Sequence, residues 1–540
     1  MQRVSAGLYL GFLLLVLAVQ TGLMSLKGIL LIDQHEGDAL HLIQIILRMA
    51  EGQRPHLDFM TPVGVFAMLP MSWPASLGLG LGMSIMMGMS LFALILLPAI
   101  WWVGWSRLQG LVAYLFGGFM IILCTALVYG GATQAASIAM YYNRWAWAVA
   151  FLLVLIAVLP GDTRRNWPDG LILGLGMAFL ALAKVTFFVA FLPGILVALL
   201  ITRRLPTLLI GVLAGLVVAG LVTLAYGVGF WAAYLGDLDF VASSGLRDAP
   251  SAPLISLLIG PEYLVANFVL LAGVVLVRQA GPGPAGIVVL LFAPAFVYAT
   301  YQNWGNDPKW LILLAILLVQ LRPDRPVNNA FGWDVGRQMS LVALVSVALI
   351  FPSLLNLTFA NLRHAKLDRS AFFQVLPGQK NDDIAMKTDR MYAPVRRETF
   401  ELRDPEIAAL VDTVPGRQVD EVMGQKLWLC KLHMGLVSVL HQMARDLDRV
   451  EGVAGKTVFV ADTFSNLWLF GSTRPLPGGA PWYYGDKAGM AQADFILVPL
   501  CPVTPAARRA VLERLKTRAG HPLREVTQNG LFILYRQSPD

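Results

Sequence analysis

The chain predicts a polytopic α-helical membrane protein with a soluble α/β domain at its C-terminal end, and three observations predict it. Of its 540 residues 57% are hydrophobic and only 14% charged, with a mean hydropathy of +0.64, outside the range of soluble globular proteins. The apolar residues collect in runs of about 12 to 24 residues, the length that crosses or nearly crosses a bilayer. These runs stop at position 357, and mixed polar text continues to Asp540, so the organisation expected is a membrane domain over 1–358 and an α/β domain over 359–540.

The runs fall at 6–24, 77–100, 111–128, 145–159, 171–182, 186–201, 208–226, 263–277, 287–299, 310–321 and 341–357, about eleven spans. Arg3 before the first run has the outline of a signal peptide. The run is too long for that, and no small-x-small site ends it, so it reads as a retained helix.

Alternating sides from a cytoplasmic N-terminus puts Arg3, Arg107, Arg164, Arg165, Arg203, Arg204, Arg278, Arg322, Arg325 and Arg337 inside, as the positive-inside rule requires. The net charge of +7 is therefore a topology signal spread in ones and twos, and no nucleic-acid partner is expected. The opposite face receives Asp33, Glu36, Asp38, Glu51, Asp58, Arg144, Lys184, Asp237, Asp239, Asp307 and Lys309, so the chemistry belongs there. Eleven crossings bring the C-terminal domain out on that same side. Cys124 lies in an apolar run, whereas Cys430 and Cys501 share the polar domain and could pair in an oxidising compartment.

The first outer loop, 27–76, is the longest in the membrane part. It opens with Asp33-Gln34-His35-Glu36-Gly37-Asp38 and continues with apolar residues at helical spacing, an amphipathic helix expected to lie in the membrane interface. Glu36 and Asp38 at its start could simply cap the helix and complement its dipole. Gly52-Gln53-Arg54-Pro55-His56-Leu57-Asp58-Phe59-Met60-Thr61-Pro62 then reads as a turn followed by extended chain.

This layout resembles the first periplasmic loop of the GT-C superfamily, the polytopic glycosyltransferases that use polyprenyl-phosphate sugars, among them aminoarabinose and protein mannosyl transferases. An acidic pair, an interfacial helix and a Gly-x-x-Pro-Tyr-x-Asp-Phe segment correspond to Glu36 and its neighbours, the helix, and Gly52-x-x-Pro55-His56-x-Asp58-Phe59. Here His35 stands where the first acid is usual and His56 where Tyr is common, which leaves open which acid is the base. The resemblance implies a bacterial inner-membrane glycosyltransferase with a periplasmic C-terminal domain. Its donor would be a polyprenyl-phosphate sugar, its acceptor an envelope glycan, lipid or protein, and its lipid partner the membrane.

Such a transfer needs a base for the acceptor hydroxyl and a cation for the leaving phosphate. Glu36 is the first candidate base and Asp38 the second. Asp58 could bind acceptor hydroxyls or brace its loop. Lys184, between two apolar half-runs, could meet the donor phosphate or snorkel to the surface. Arg144, after Tyr141-Tyr142-Asn143, could grip the phosphate bidentately or rest among headgroups. The loop at 301–309, with Asn303, Asp307 and Lys309, could bind the sugar or be an ordinary Asn/Gly/Pro turn. No metal signature, Walker loop or dinucleotide fingerprint is present, so neither metal nor cofactor is expected.

In the C-terminal domain, 457–461 and 495–500 read as buried strands, 504–519 as a helix, and 526–535 as a hairpin around a type I′ Asn529-Gly530 turn. Trp482, Tyr483 and Tyr484 could stack on a glycan or pack against the membrane domain. The competing expectation for the whole chain is a transporter or lipid flippase with a periplasmic binding domain. Against it, the halves show no inverted repeat.

Overall fold

The computed structural model describes residues 4–161, 165–244, 253–281, 283–302, 307–376, 381–394, 405–406, 409, 420–427, 432–480, 488–517 and 523–537. Every apolar run becomes a helix, in which a backbone surrounded by apolar side chains satisfies its own polar groups. Seven helices are long and apolar enough to span a membrane: α1 Ala6–Ser25, α4 Leu81–Arg107, α6 Tyr141–Val158, α7 Asn166–Ala183, α9 Leu205–Tyr226, α12 Pro261–Ala280 and α15 Val335–Lys366. Four shorter apolar helices accompany them: α5 Gly110–Thr125, α8 Val185–Ile201, α13 Ala285–Tyr301 and α14 Trp310–Gln320. α6 is the central helix, buried along nearly its whole length, whereas α9 turns most of its surface outward.

Four further helices lie between these: α2 Glu36–Ala50, α3 Val65–Ser76, α10 Gly229–Ser243 and the single turn α11 Leu254–Ile259. No helix is predicted for the end of the first outer loop, yet α3 forms there with Pro70 and Pro74 inside it. Prolines are tolerated in an apolar helix that packs on a neighbour. Gly88 of α4 makes that packing possible, since a Cβ there would sit 2.5 Å from Met71 and 2.8 Å from the carbonyl oxygen of Pro70.

α15 runs through position 358 without a break and ends at Lys366, so one continuous helix joins the membrane part to the C-terminal region. The joint is reinforced by a strand of the first loop, β1 Leu30–Ile32. It pairs in parallel with β3 Ile384–Lys387, which pairs antiparallel with β2 Phe372–Gln374. Asp383, just before β3, accepts hydrogen bonds from the backbone N–H groups of Gly82 (2.9 Å) and Met83 (2.8 Å) and so caps the N-terminus of α4. His364 fixes the end of α15 by accepting the Leu31 N–H at 3.0 Å.

The rest of the C-terminal region contains the short helix α16 Thr388–Tyr392, the two-stranded β4 Asp420–Val422 and β5 Gln425–Leu427, and helices α17 Leu436–Asp448 and α18 Pro505–Thr517. Its main sheet has the order β6-β7-β9-β8, built from β6 Val458–Val460, β7 Phe495–Pro499, β8 Leu523–Gln528 and β9 Phe532–Gln537. The strands and helix expected here form within a residue or two of the ranges read from the sequence. The hairpin turn differs: neither Asn529 nor Gly530 has positive φ, so it is not type I′. The Asn529 side chain instead accepts the N–H groups of Leu531 and Phe532, an Asx turn that reverses the chain without left-handed residues.

α2 is amphipathic in pattern but covered in fact. Its residues 39–46 are all buried, against α3 on one side and the C-terminal region on the other. Arg48, 2% exposed, donates to the Leu476 carbonyl at 3.1 and 3.2 Å, and Gln44 donates to Ser465. The polar stripe that suggested a membrane-interface helix is thus the docking face for the second domain.

Candidate functional site

The site is built around residues 126–140, the connection between α5 and α6. This segment carries its own turn chemistry, with Gly130, Gly131 and Met140 at positive φ, and five side chains hold it, Asn361 by accepting the Leu127 N–H. Arg144, 1% exposed, donates to the carbonyls of Ala126 (2.6 Å), Val128 and Tyr129. Asn356 and Asn361 of α15 add further bonds, to the carbonyls of Gly131 and Thr133 and of Thr125. Asp307 accepts the Gly131 N–H at 3.0 Å, and Asp33 accepts that of Ala136 at 3.2 Å.

This places Arg144 and Asp307 where the sequence could not. The guanidinium of Arg144 is spent on backbone carbonyls, so its geometry is that of a brace. Asp307 is also held by Lys309, which forms a close ion pair with it, and by the Ser353 hydroxyl at 2.6 Å. Burial works to raise the Asp307 carboxyl, but Lys309, Ser353 and Gly131 together hold it below its ordinary value. Lys309 is itself 2% exposed. Asn303 and the aromatic residues Trp482, Tyr483 and Tyr484 lie outside the described residues.

The N-terminus of α2 faces the same segment. His35 takes a left-handed conformation (φ 66°), stacks on Tyr129 with ring centroids 4.6 Å apart, and hydrogen-bonds Ser137 at 3.1 Å. Burial lowers the His35 imidazole, with Glu36 opposing and Arg390 adding to the effect, so the ring favours its neutral form. Neither acid caps the helix through a side-chain hydrogen bond at its N-cap.

The two acids are not equivalent. Glu36 receives Arg390 of α16 at 2.8 Å, an ion pair between the first loop and the C-terminal region. Asp38 is half-buried with no hydrogen-bond partner among the described residues. Burial first, and the Glu36 charge second, push its carboxyl up to about 6. Tyr129 is raised from its ordinary value by burial and by the charges of Asp38 and Asp307, which brings these three groups into one electrostatic neighbourhood.

Lys184 sits at the break between α7 and α8, half-buried, with its ammonium 5.3 Å from the ring centroid of Tyr142. An apolar cavity of about 250 Å³ lies between α7, α8 and α9, and its lining includes Ala181 and Leu182, just before this lysine. Asp58 braces its loop, accepting from the Arg54 backbone (2.7 Å) and guanidinium (both 3.1 Å), contacts that hold its carboxyl low. His56 pairs with Asp237 of α10 at 2.8 Å and is enclosed by Phe230 and Tyr234. Cys501 is disulfide-bonded, Cys124 is free, and Cys430 lies outside the described residues.

Sequence reasoning missed Tyr129, Ser137 and Arg390. The first two had a signal in Gly130-Gly131, a glycine pair followed by Thr133 and Gln134 between two apolar runs. Arg390 had none, being brought in from 354 residues away. Among the described residues no group of three or more His, Cys, Asp or Glu is arranged to hold a metal ion. Compared with protein-family models, curated proteins and solved structures, the chain matches none.

Proposed function

We propose that the protein is a membrane glycosyltransferase that moves a sugar from a polyprenyl-phosphate donor to an envelope glycan, lipid or protein acceptor. The observation that carries this reading is Asp38, a half-buried carboxyl at the first turn of α2 with no hydrogen-bond partner among the described residues, raised to about 6 and acting electrostatically on Tyr129. A carboxylate poised near the working pH and free to accept a proton is what an acceptor hydroxyl needs. In the reaction the hydroxyl oxygen bonds to the anomeric carbon as the anomeric C–O bond to phosphate breaks. The electron pair leaves on the phosphate oxygen, Asp38 takes the hydroxyl proton, and in-line attack inverts the centre.

The lipid half of the donor has support in the apolar cavity between α7, α8 and α9, whose lining includes Leu182, two residues before Lys184. The seven long and four shorter apolar helices coincide one for one with the eleven predicted runs and support eleven crossings. With arginines on the cytoplasmic connections, that count favours an α/β domain on the periplasmic side of a bacterial inner membrane. The Cys501 disulfide fits an oxidising compartment.

The test is to purify the protein in detergent and incubate it with polyprenyl-phosphate sugars and envelope extract, following free polyprenyl phosphate. A transferase releases it in detergent, where a transporter has no second compartment to fill. No release with any donor from folded protein, together with translocation of the same donors in liposomes, would transfer the assignment to transport.

A further inference from the structure

Two residues two apart on a helix stand about 200° apart around its axis. Glu36 and Asp38 therefore leave opposite sides of the first turn of α2, and the structure treats the sides differently. Asp38 has no hydrogen-bond partner among the described residues and acts electrostatically on Tyr129, while Glu36 meets a cation from the C-terminal region.

The cations of this face divide by what they already do. Arg144 and Lys309 are 1% and 2% exposed, one committed to carbonyls and the other paired with Asp307. Arg48 is 2% exposed and bound to Leu476. Arg54 is paired with Asp58 in a separate loop. Arg390 differs, with 42% of its side chain exposed although it is paired to a largely covered Glu36. Its contacts to Glu36 run through Nε and one terminal nitrogen, at 3.4 and 2.8 Å, and among the described residues its remaining terminal nitrogen makes no hydrogen bond. A guanidinium positioned by a carboxylate and open on one side is suited to a tetrahedral oxyanion, which it can bind with parallel hydrogen bonds.

We propose that Arg390 receives the phosphate of a ligand at this site, with Glu36 holding the guanidinium in place and competing for it until the ligand arrives. The donor phosphate then lies at Arg390 on one side of the first turn of α2, and the acceptor hydroxyl at Asp38 on the other. The C-terminal region is on this account a working part of the site. The lipid source of the phosphate and the hydroxyl at Asp38 rest on the transferase reading; the anion site at Arg390 does not.

The role separates from a structural one because the two partners give opposite signs. The measurement is binding of polyprenyl phosphate to the full-length protein in nanodiscs, with inorganic phosphate as a second probe. Arg390→Gln is expected to weaken polyprenyl-phosphate binding about tenfold or more, Arg390→Lys to weaken it less, and Glu36→Gln to strengthen it severalfold by removing the competitor. If Glu36→Gln and Arg390→Gln weaken binding alike, or neither changes it, the pair is only an interdomain tie and the proposal falls. Wild type that binds neither probe also overturns it. Inorganic phosphate binding as tightly as the lipid, with the same opposite signs, keeps Arg390 as the anion site but names free phosphate as its source. Should Arg390→Gln not fold, Arg390→Lys against Glu36→Gln carries the same comparison. Binding with these signs but without sugar transfer leaves this inference standing and removes the transferase reading alone.

Discussion

Glu36 and Arg390 are 354 residues apart in the chain and 2.8 Å apart in the fold, and their ion pair leaves Asp38 as the neighbouring acid with no hydrogen-bond partner among the described residues. The sequence ranked Glu36 first as the base. The Glu36 oxygens are occupied by the Arg390 guanidinium, so the arrangement favours Asp38.

The first prediction concerns pH. Asp38 accepts a proton only when ionised, so with its carboxyl at about 6 the transfer rate should climb as pH rises to about 6 and level off above it. Stability should move the other way. A carboxyl raised above its unfolded value makes the fold less stable as pH rises from about 4 to about 6. Asp38→Asn should therefore remove the acid limb of the rate profile, cost about 100-fold or more in rate, and raise the unfolding temperature at pH 8.

The second concerns the brace. Arg144→Ala leaves the carbonyls of Ala126, Val128 and Tyr129 buried without their donor, at about 1–3 kcal/mol for an unsatisfied group. Thermal unfolding in detergent should fall by several degrees. Arg144→Lys should recover little, because one ammonium cannot reproduce the planar fork. An unchanged unfolding temperature in both variants would contradict the bracing role.

The third concerns the seam between the domains. A Cβ at position 82 would sit 2.1 Å from the Asp383 carbonyl oxygen, so Gly82→Ala must push β3 off α4. Asp383→Ala removes two charged caps instead, at about 1 kcal/mol. Both should speed limited proteolysis of the C-terminal region, Gly82→Ala more strongly.

The fourth is confined to the C-terminal region. Asp420 is buried between Arg508 at 2.9 Å and Arg509 at 2.8 Å, with Arg508 wholly buried. Asp420→Asn should destabilise this region by about 3 kcal/mol, since it leaves a buried guanidinium uncompensated. Calorimetry should show a lowered transition while the membrane helices keep their helical circular dichroism.

The helices were legible because long runs of apolar residues form helices here, and the loop carrying the acids was legible because it is long and polar among short neighbours. α3 was hidden because proline is read as a breaker, although packing on Gly88 sustains the helix. The roles of Arg144 and Asp307 were not legible, because what a buried charge does depends on which carbonyl or cation the fold brings to it. The polar stripe of α2 was visible, but a stripe alone does not say whether a membrane surface or another domain covers it. Arg390 became visible only once β1 had paired with β3, a contact between segments some 350 residues apart.

The most direct test of the account compares wild type, Asp38→Asn and Glu36→Gln for release of free polyprenyl phosphate from a polyprenyl-phosphate sugar in the presence of acceptor. The account predicts release by wild type, loss of about 100-fold or more with Asp38→Asn, and retained release with Glu36→Gln. Release that survives Asp38→Asn and disappears with Glu36→Gln would contradict it and return the proton transfer to Glu36.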